Sequence, residues 1–182
     1  MKRPLIAVYG SSTIRETDSE YRLALDLGRA LARGGADVMT GGYGGAMEAC
    51  SRGCHESGGH VVGVTVELFE ARGPANRWVK ERVHTSDLYE RLKHIVERAD
   101  GFIAVPGSVG TLTEIFLTWT LLSVSARRSA PLVLCGAPWE DYLEHHRRPD
   151  LVRPDLFTFV RATPDPEEAA RLVLDAVAAP RP

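Results

Sequence analysis

The sequence predicts an α/β protein in which a parallel sheet is doubly wound with helices on both faces, as one domain over residues 1–182. Three observations predict it. Short apolar runs recur along the whole chain, stretches of helical spacing separate them, and glycine-containing turns punctuate the joins. A chain of 182 residues with 44% hydrophobic content can bury one continuous core, and no internal repeat, low-complexity segment or linker divides it.

Leu5 to Tyr9 form an apolar run that stops at Gly10-Ser11-Ser12, as a buried parallel strand does. From Ser19 to Arg33 the residues Leu23, Leu27, Ala30 and Leu31 recur at helical spacing, and Gly34-Gly35 ends the pattern. Residues 37–40 predict the next strand, 41–45 a glycine loop, and 46–57 a helix closed by Gly58-Gly59. The strand signal repeats at 60–65. Residues 67–86 are polar, with a Gly-Pro turn and an isolated Trp78, and read as a loop over a site rather than an element of the core. Leu88, Leu92, Ile95, Val96 and Ala99 share one helical face, and a strand at 101–105 leads into the turn VPGSVGTLTE. A long helix to about Ser125, a strand at 131–135, a short helix near 139–143, a strand at 157–161 and a helix over 166–178 complete the chain. Right-handed crossovers then give the Rossmann-like class. In such sheets ligands sit at the carboxyl ends of the strands, which groups GSS at 10–12, GGYGG at 41–45 and PGSVGT at 106–111.

Charge narrows the classes of partner. Lys+Arg 22 against Asp+Glu 24 leaves a net charge of −2, so nothing marks the chain for nucleic acid or an anionic membrane, and an anionic ligand has to be held locally. No apolar stretch approaches the ~20 residues that cross a bilayer. The opening MKRPLIAVYGSS reaches glycine and serine too soon for a signal peptide, and a cytoplasmic protein is expected. Cys50, Cys54 and Cys135 form no disulfide framework. Cys50 and Cys54 lie one helical turn apart beside His55, but no fourth ligand is suggested nearby, so they read as small buried side chains. No metal and no cofactor is expected. His84, His94, His145 and His146 show no ligand spacing.

Glycine lets backbone N–H groups approach an anion, and a helix N-terminus adds unpaired donors and partial positive charge. Gly10, Ser11 and Ser12, then Gly41, Gly42, Gly44 and Gly45 with Met47 and Glu48, then Pro106, Gly107, Ser108, Val109, Gly110 and Thr111 are therefore the candidate ligand-binding residues. GSSTIR is not the dinucleotide fingerprint and no P-loop occurs, which disfavours NAD and triphosphate hydrolysis. Thr111-x-x-Glu114 also fits a capping box, in which the glutamate only returns to a backbone N–H. A position near a helix start favours the ionised carboxylate, able to stabilise a cation or orient water. Arg91 borders the apolar stripe of its helix, where arginine often covers apolar surface or pairs with a carboxylate.

PGSVGTLTE resembles the P-G-G-x-G-T-x-x-E signature of the LOG ("lonely guy") family, cytokinin-activating phosphoribohydrolases long mislabelled as lysine decarboxylases. VYGSS, LGRALARGGADVMTGGYGGAMEA, GGHVVGV and YERLKHIVERADGFIAVPG are similar to that family in the same order, over roughly residues 5 to 125. The resemblance implies cleavage of the N-glycosidic bond of a purine nucleoside 5′-monophosphate, cytokinin precursors included, with Glu114 and Arg91 catalytic and the glycine loops holding phosphate and ribose. Glycoside cleavage passes through an oxocarbenium-like state that a fixed carboxylate stabilises. Three departures stand out: Ser108 occupies the second glycine of the signature, Leu92 occupies the position of the family's lysine, and GGYGGAME is shorter than G-G-G-x-x-G-L-M-G. GGYGGAME instead resembles a branch similar to molybdenum cofactor carrier proteins, which implies the alternative of binding that cofactor or a nucleotide without cleavage. Amino-acid decarboxylation fits poorly, since Lys2, Lys80 and Lys93 include none at a strand-to-loop position suited to a pyridoxal Schiff base. Ile115, Phe116, Trp119, Leu121 and Leu122 make the long helix more apolar than one sheet face needs, which predicts a homodimer, as is usual for the family.

Overall fold

The computed structural model describes residues 3–179. Its strands are β1 (Leu5–Tyr9), β2 (Asp37–Thr40), β3 (Val61–Val66), β4 (Glu81–Thr85), β5 (Gly101–Ala104), β6 (Leu132–Cys135) and β7 (Val160–Thr163). The helices are α1 (Ser19–Arg33), α2 (Ala46–Glu56), α3 (Leu88–Arg98), α4 (Val109–Ser123), α5 (Pro138–His146) and α6 (Pro166–Ala178). All strands run parallel in the order β4-β3-β2-β1-β5-β6-β7, so the winding reverses between β1 and β5. That reversal is where an open α/β sheet leaves a crevice. The Rossmann-like reading of the sequence is met.

The central strands are buried on both faces, which is why their sequences are continuous apolar runs and not alternating ones. One core lies under α1, α2 and α6, where Leu27, Leu31, Val38, Cys50 and Val173 meet. The other lies under α3, α4 and α5, where Phe102, Ile95, Ile115, Trp119 and Leu143 meet. Cys50, Cys54 and Cys135 are free thiols within the first core, and burial pushes the last two up to about 12.

Residues 67–86 depart from the expected loop. A short 3-10 helix, Glu67–Arg72, is followed by β4, which pairs with β3 from Val62↔Glu81 to Val66↔Thr85. Because β4 is the sheet edge, most of its side chains are exposed and its sequence ERVHT lacks the apolar run that marks a central strand. Trp78 is not isolated: the Arg77 guanidinium lies 4.6 Å from its ring centroid and the His55 ring 5.6 Å away. The strand expected at 157–161 begins at Val160 instead, because Pro154 opens a 3-10 helix that runs to Phe159. α4 starts at Val109, which makes Ser108 its N-cap and puts Thr111 inside the first turn.

Candidate functional site

A cavity of about 770 Å³ opens at the carboxyl ends of β1 and β5, walled by residues from five separate stretches of chain. Of the sequence-predicted residues, Gly10, Ser12, Gly44, Met47, Arg91, Ser108, Gly110, Thr111 and Glu114 line it. Ser11, Gly41, Gly42, Gly45, Glu48, Pro106, Gly107 and Val109 do not form its wall, and Val109 is turned out to solvent. Thr13, Tyr43, Phe69, Leu88, Leu92 and Thr113 line it without having been singled out as ligand contacts. A second cavity, about 550 Å³, lies at the amino ends of β5 to β7 among Asp100, Arg128, Pro131 and Arg161, and holds none of the candidate residues.

Several of the predicted loop residues brace the site from behind. Ser11 is buried; its hydroxyl meets Thr13 Oγ1 at 3.0 Å, and its carbonyl accepts the Ala46 N–H at 2.8 Å. The first N–H of α2 is therefore already used. Gly45, the N-cap of α2, has φ 66, and a Cβ there would lie 2.4 Å from the Ser11 carbonyl oxygen, so only glycine makes this turn. At α4 the Ser108 side chain does not cap the helix and no acidic residue sits in its first turn. The unpaired N–H groups of that turn remain available to an anion beside Gly110 and Thr111.

Arg91 comes from α3, where Asp87 caps the helix by accepting the Glu90 N–H at 2.8 Å. The arginine is only 7% exposed, and its Nε donates to the Val64 carbonyl at 2.8 Å. Its other face passes over Gly41, where a Cβ would stand 1.9 Å from Nη2 and 2.6 Å from Met47 Sδ. Gly41 thus seats the guanidinium instead of cradling a ligand. Nη1 lies 3.7 Å from Glu114 Oε1, an ion pair too long for a hydrogen bond.

The Glu114 side chain is 13% exposed and, among the described residues, no hydrogen bond reaches it. With the helix start at Val109, Glu114 lies beyond the first turn, so the capping-box alternative is not the arrangement found. Its ionisation also differs from the sequence expectation: burial pushes the carboxyl up to about 7, with Arg91 opposing that rise. Desolvation outweighs both the cation and the distant helix start. Below Glu114 on the same helix, Thr118 bonds the buried Tyr9 hydroxyl at 3.0 Å, and burial with the nearby Glu114 charge raises that phenol. The arrangement is a buried carboxyl, raised in pKa by desolvation, beside a fixed cation, with an anion-receptive helix start on one side and an apolar wall on the other.

The family model described as the SLOG cluster4 family matches residues 3–124. The chain belongs to that family. It is 37% identical over 117 residues to the cytokinin riboside 5′-monophosphate phosphoribohydrolase of Mycobacterium tuberculosis, a match covering 63% of this chain and 62% of that protein. A protein of the same description from Rhodococcoides fascians is 36% identical over 133 residues, covering 68% and 66%. The LOG protein of Oryza sativa is 34% identical over 122 residues, covering 65% and 50%. The chain thus spans about half to two thirds of the length of these curated relatives. Among solved structures, the molybdenum cofactor binding protein of Rippkaea orientalis superposes with a TM-score of 0.76 at 22% identity, covering 98% of this chain and 99% of that one. The molybdenum cofactor carrier protein of Chlamydomonas reinhardtii does so at 0.75 and 23% identity, covering 98% and 100%. At such identities the likeness is one of fold. Within the SLOG cluster4 family, the matched region holds every wall residue of the larger cavity.

Proposed function

We propose that the cavity hydrolyses the N-glycosidic bond of a purine nucleoside 5′-monophosphate, with cytokinin precursors in the substrate class, to release free base and ribose 5-phosphate. One observation carries the reading: a buried carboxyl with its ionisation near neutrality faces a fixed guanidinium in a cleft that begins at an uncapped helix. The 5′-phosphate is received by the first turn of α4 and by Ser12, Thr13 and Ser108. The ribose then lies across Arg91 and Glu114. As the bond between the anomeric carbon and the base nitrogen lengthens, positive charge grows on the sugar, and the Glu114 carboxylate stabilises it. Water adds its oxygen to the anomeric carbon and gives one proton to that carboxylate, while the departing base takes a proton from solvent and Glu114 afterwards returns its own to solvent. Arg91 opposes the rise that burial imposes on Glu114 and so favours its carboxylate form. The relatives' names support the same chemistry.

The test is release of base from AMP and an N6-substituted AMP, followed by chromatography. The parent releases base, Glu114→Gln loses at least about 100-fold in rate, and kcat/KM climbs as pH rises through about 7, where the carboxylate form accumulates. Equal rates in parent and variant would overturn the role of Glu114. A second reading, tight binding of a nucleotide or of molybdenum cofactor without cleavage, is favoured by one feature. Leu92 lines the cavity where the family resemblance puts a lysine, and this leaves Arg91 as the one cationic side chain in the wall among the described residues. Binding with no release of base would select it.

We also infer that the protein is a homodimer paired through α4. Val109, Thr113, Phe116, Thr120 and Val124 stand exposed at helical spacings of four, three, four and four residues, with no charge among them. A second copy covers this face by a two-fold contact.

A further inference from the structure

β2 stops pairing with β3 at Thr40↔Gly63, although β3 continues to Val66. Past that point side chains of the site replace the missing strand. Arg91 Nε donates to the Val64 carbonyl, and the Tyr43 hydroxyl both donates to the Val66 carbonyl and accepts from the Val66 N–H, each at 3.0 Å. Tyr43 thus holds the residue from which the chain turns over the cavity. The 3-10 helix after Val66 brings Phe69 edge-on to the Tyr43 ring, centroids 5.9 Å apart and planes at 72°, and both rings line the cavity. Asn76 ties the far end of this strap to the same glycine loop: its N–H donates to the Gly42 carbonyl at 2.8 Å and its side-chain amide to the Tyr43 carbonyl at 2.9 Å.

We infer that the Tyr43–Phe69 pair is a clamped aromatic wall that recognises the flat heterocycle of the ligand, with Phe69 as the contact and the Tyr43 hydroxyl as the positioning group. The identity of that heterocycle as a nucleotide base rests on the function proposed above. Three features lead to this assignment. The phosphate-receptive end of the cavity and the Arg91–Glu114 pair account for the polar residues. What remains among the described residues is Tyr43, Met47, Phe69, Leu88 and Leu92. An aromatic pair there offers a π-face or an edge to a ring that has left water. The two hydrogen bonds from one phenol to both backbone groups of Val66 fix where that wall stands, because moving it strands a buried donor and acceptor together. The glycine loop at 41–45 carries Tyr43 where its hydroxyl reaches Val66.

The experiment compares AMP with ribose 5-phosphate, which lacks the heterocycle, by calorimetry in a Glu114→Gln background that keeps AMP intact. Phe69→Ala in that background is expected to weaken AMP about tenfold or more, the scale of one base–aromatic contact, while ribose 5-phosphate changes by less than about twofold. Equal loss for both ligands, or no loss for AMP, overturns the wall. Hydrogen exchange tests the clamp without any ligand: in Tyr43→Phe, which keeps the ring, the Val66 amide and those of the following 3-10 helix are expected to exchange at least about tenfold faster. Unchanged exchange overturns the positioning role. If the Glu114→Gln protein binds neither AMP nor ribose 5-phosphate, the nucleotide function fails together with the base assignment, and the exchange result still decides the clamp.

Discussion

Replacing Glu114 by glutamine removes a titration that folding makes costly, and the cost has a sign that differs from that of an ordinary surface carboxylate. In the unfolded chain the group ionises near its ordinary value of 4.5; in the folded protein burial raises it to about 7, against the pull of Arg91. Between those values the folded state holds a proton that the unfolded state has lost, so stability falls as pH rises. The contribution is complete below about 4.5 and gone above about 7. Moving the ionisation from 4.5 to about 7 corresponds to about 3 kcal/mol, roughly 2 of it between pH 5 and pH 8. Glutamine keeps the shape of the neutral acid and does not titrate. Urea unfolding of parent and variant at matched pH values is the assay, since every other titration cancels in the difference. The variant is expected to gain on the parent by roughly 2 kcal/mol from pH 5 to pH 8, or about 4–8 °C in Tm for a chain of this size. Two curves that stay parallel would show that Arg91 wins over burial and that Glu114 is ionised throughout, which would also remove the neutral-pH limb expected for catalysis.

Gly41→Ala places a methyl where Arg91 Nη2 and Met47 Sδ lie, so turnover is expected to fall by about 100-fold with the fold intact by circular dichroism; in an Arg91→Lys background the same change should cost little more, which a double-mutant cycle reads. Phe116→Lys puts a charge in the middle of the uncharged α4 face and is expected to yield monomers by sedimentation at micromolar concentration; a parent that is already monomeric would sink the dimer. Arg127→Ala removes the donors to the Val96 carbonyl, at 2.6 Å, and to the Ala99 carbonyl, which close the end of α3, as well as a cation–π contact with Phe102 at 4.6 Å. A loss of about 1–3 kcal/mol by urea unfolding is expected, with ligand binding unchanged in the protein that remains folded.

The fold was legible wherever burial on both faces left a continuous apolar run. Strands β1, β2, β3, β5 and β6 and the helices between them follow from such runs and from glycine stops, because central parallel strands leave no polar face to disguise them. β4 escaped because an edge strand can carry Glu81, Arg82 and His84, so its pairing comes from the backbone of β3 and not from its own hydrophobicity. Within the site, Arg91 and Glu114 were legible through a family motif, and the structure brings them together. The protonation of Glu114 was not. It depends on packing by elements distant in sequence, whereas the helix-start argument that favoured a carboxylate uses only local neighbours. Tyr43 and Phe69 were missed for a related reason: one sat inside a glycine loop and the other in a stretch read as irregular, and only the fold puts their rings edge to face.

The glycine loops show how one residue type serves different physical ends, and sorting them sharpens the position of a ligand. Gly45 allows a turn against the Ser11 carbonyl, Gly41 makes room for Arg91, and the first N–H of α2 is spent on Ser11. These uses leave the first turn of α4 as the stronger seat for an anion, since its N-cap side chain makes no capping bond and Gly110 and Thr111 line the cavity. Glu114 follows Gly110 by four residues, one helical turn, or about 6 Å of rise along the same face. A carboxylate that far from a bound phosphate matches the reach of a pentose 5-phosphate, in which a short run of bonds separates phosphorus from the anomeric carbon. A bare phosphate held at the helix start would leave the Arg91–Glu114 pair untouched. In the proposed reading, that spacing fits a sugar phosphate in the middle of the cavity, with its heterocycle against the Tyr43–Phe69 wall.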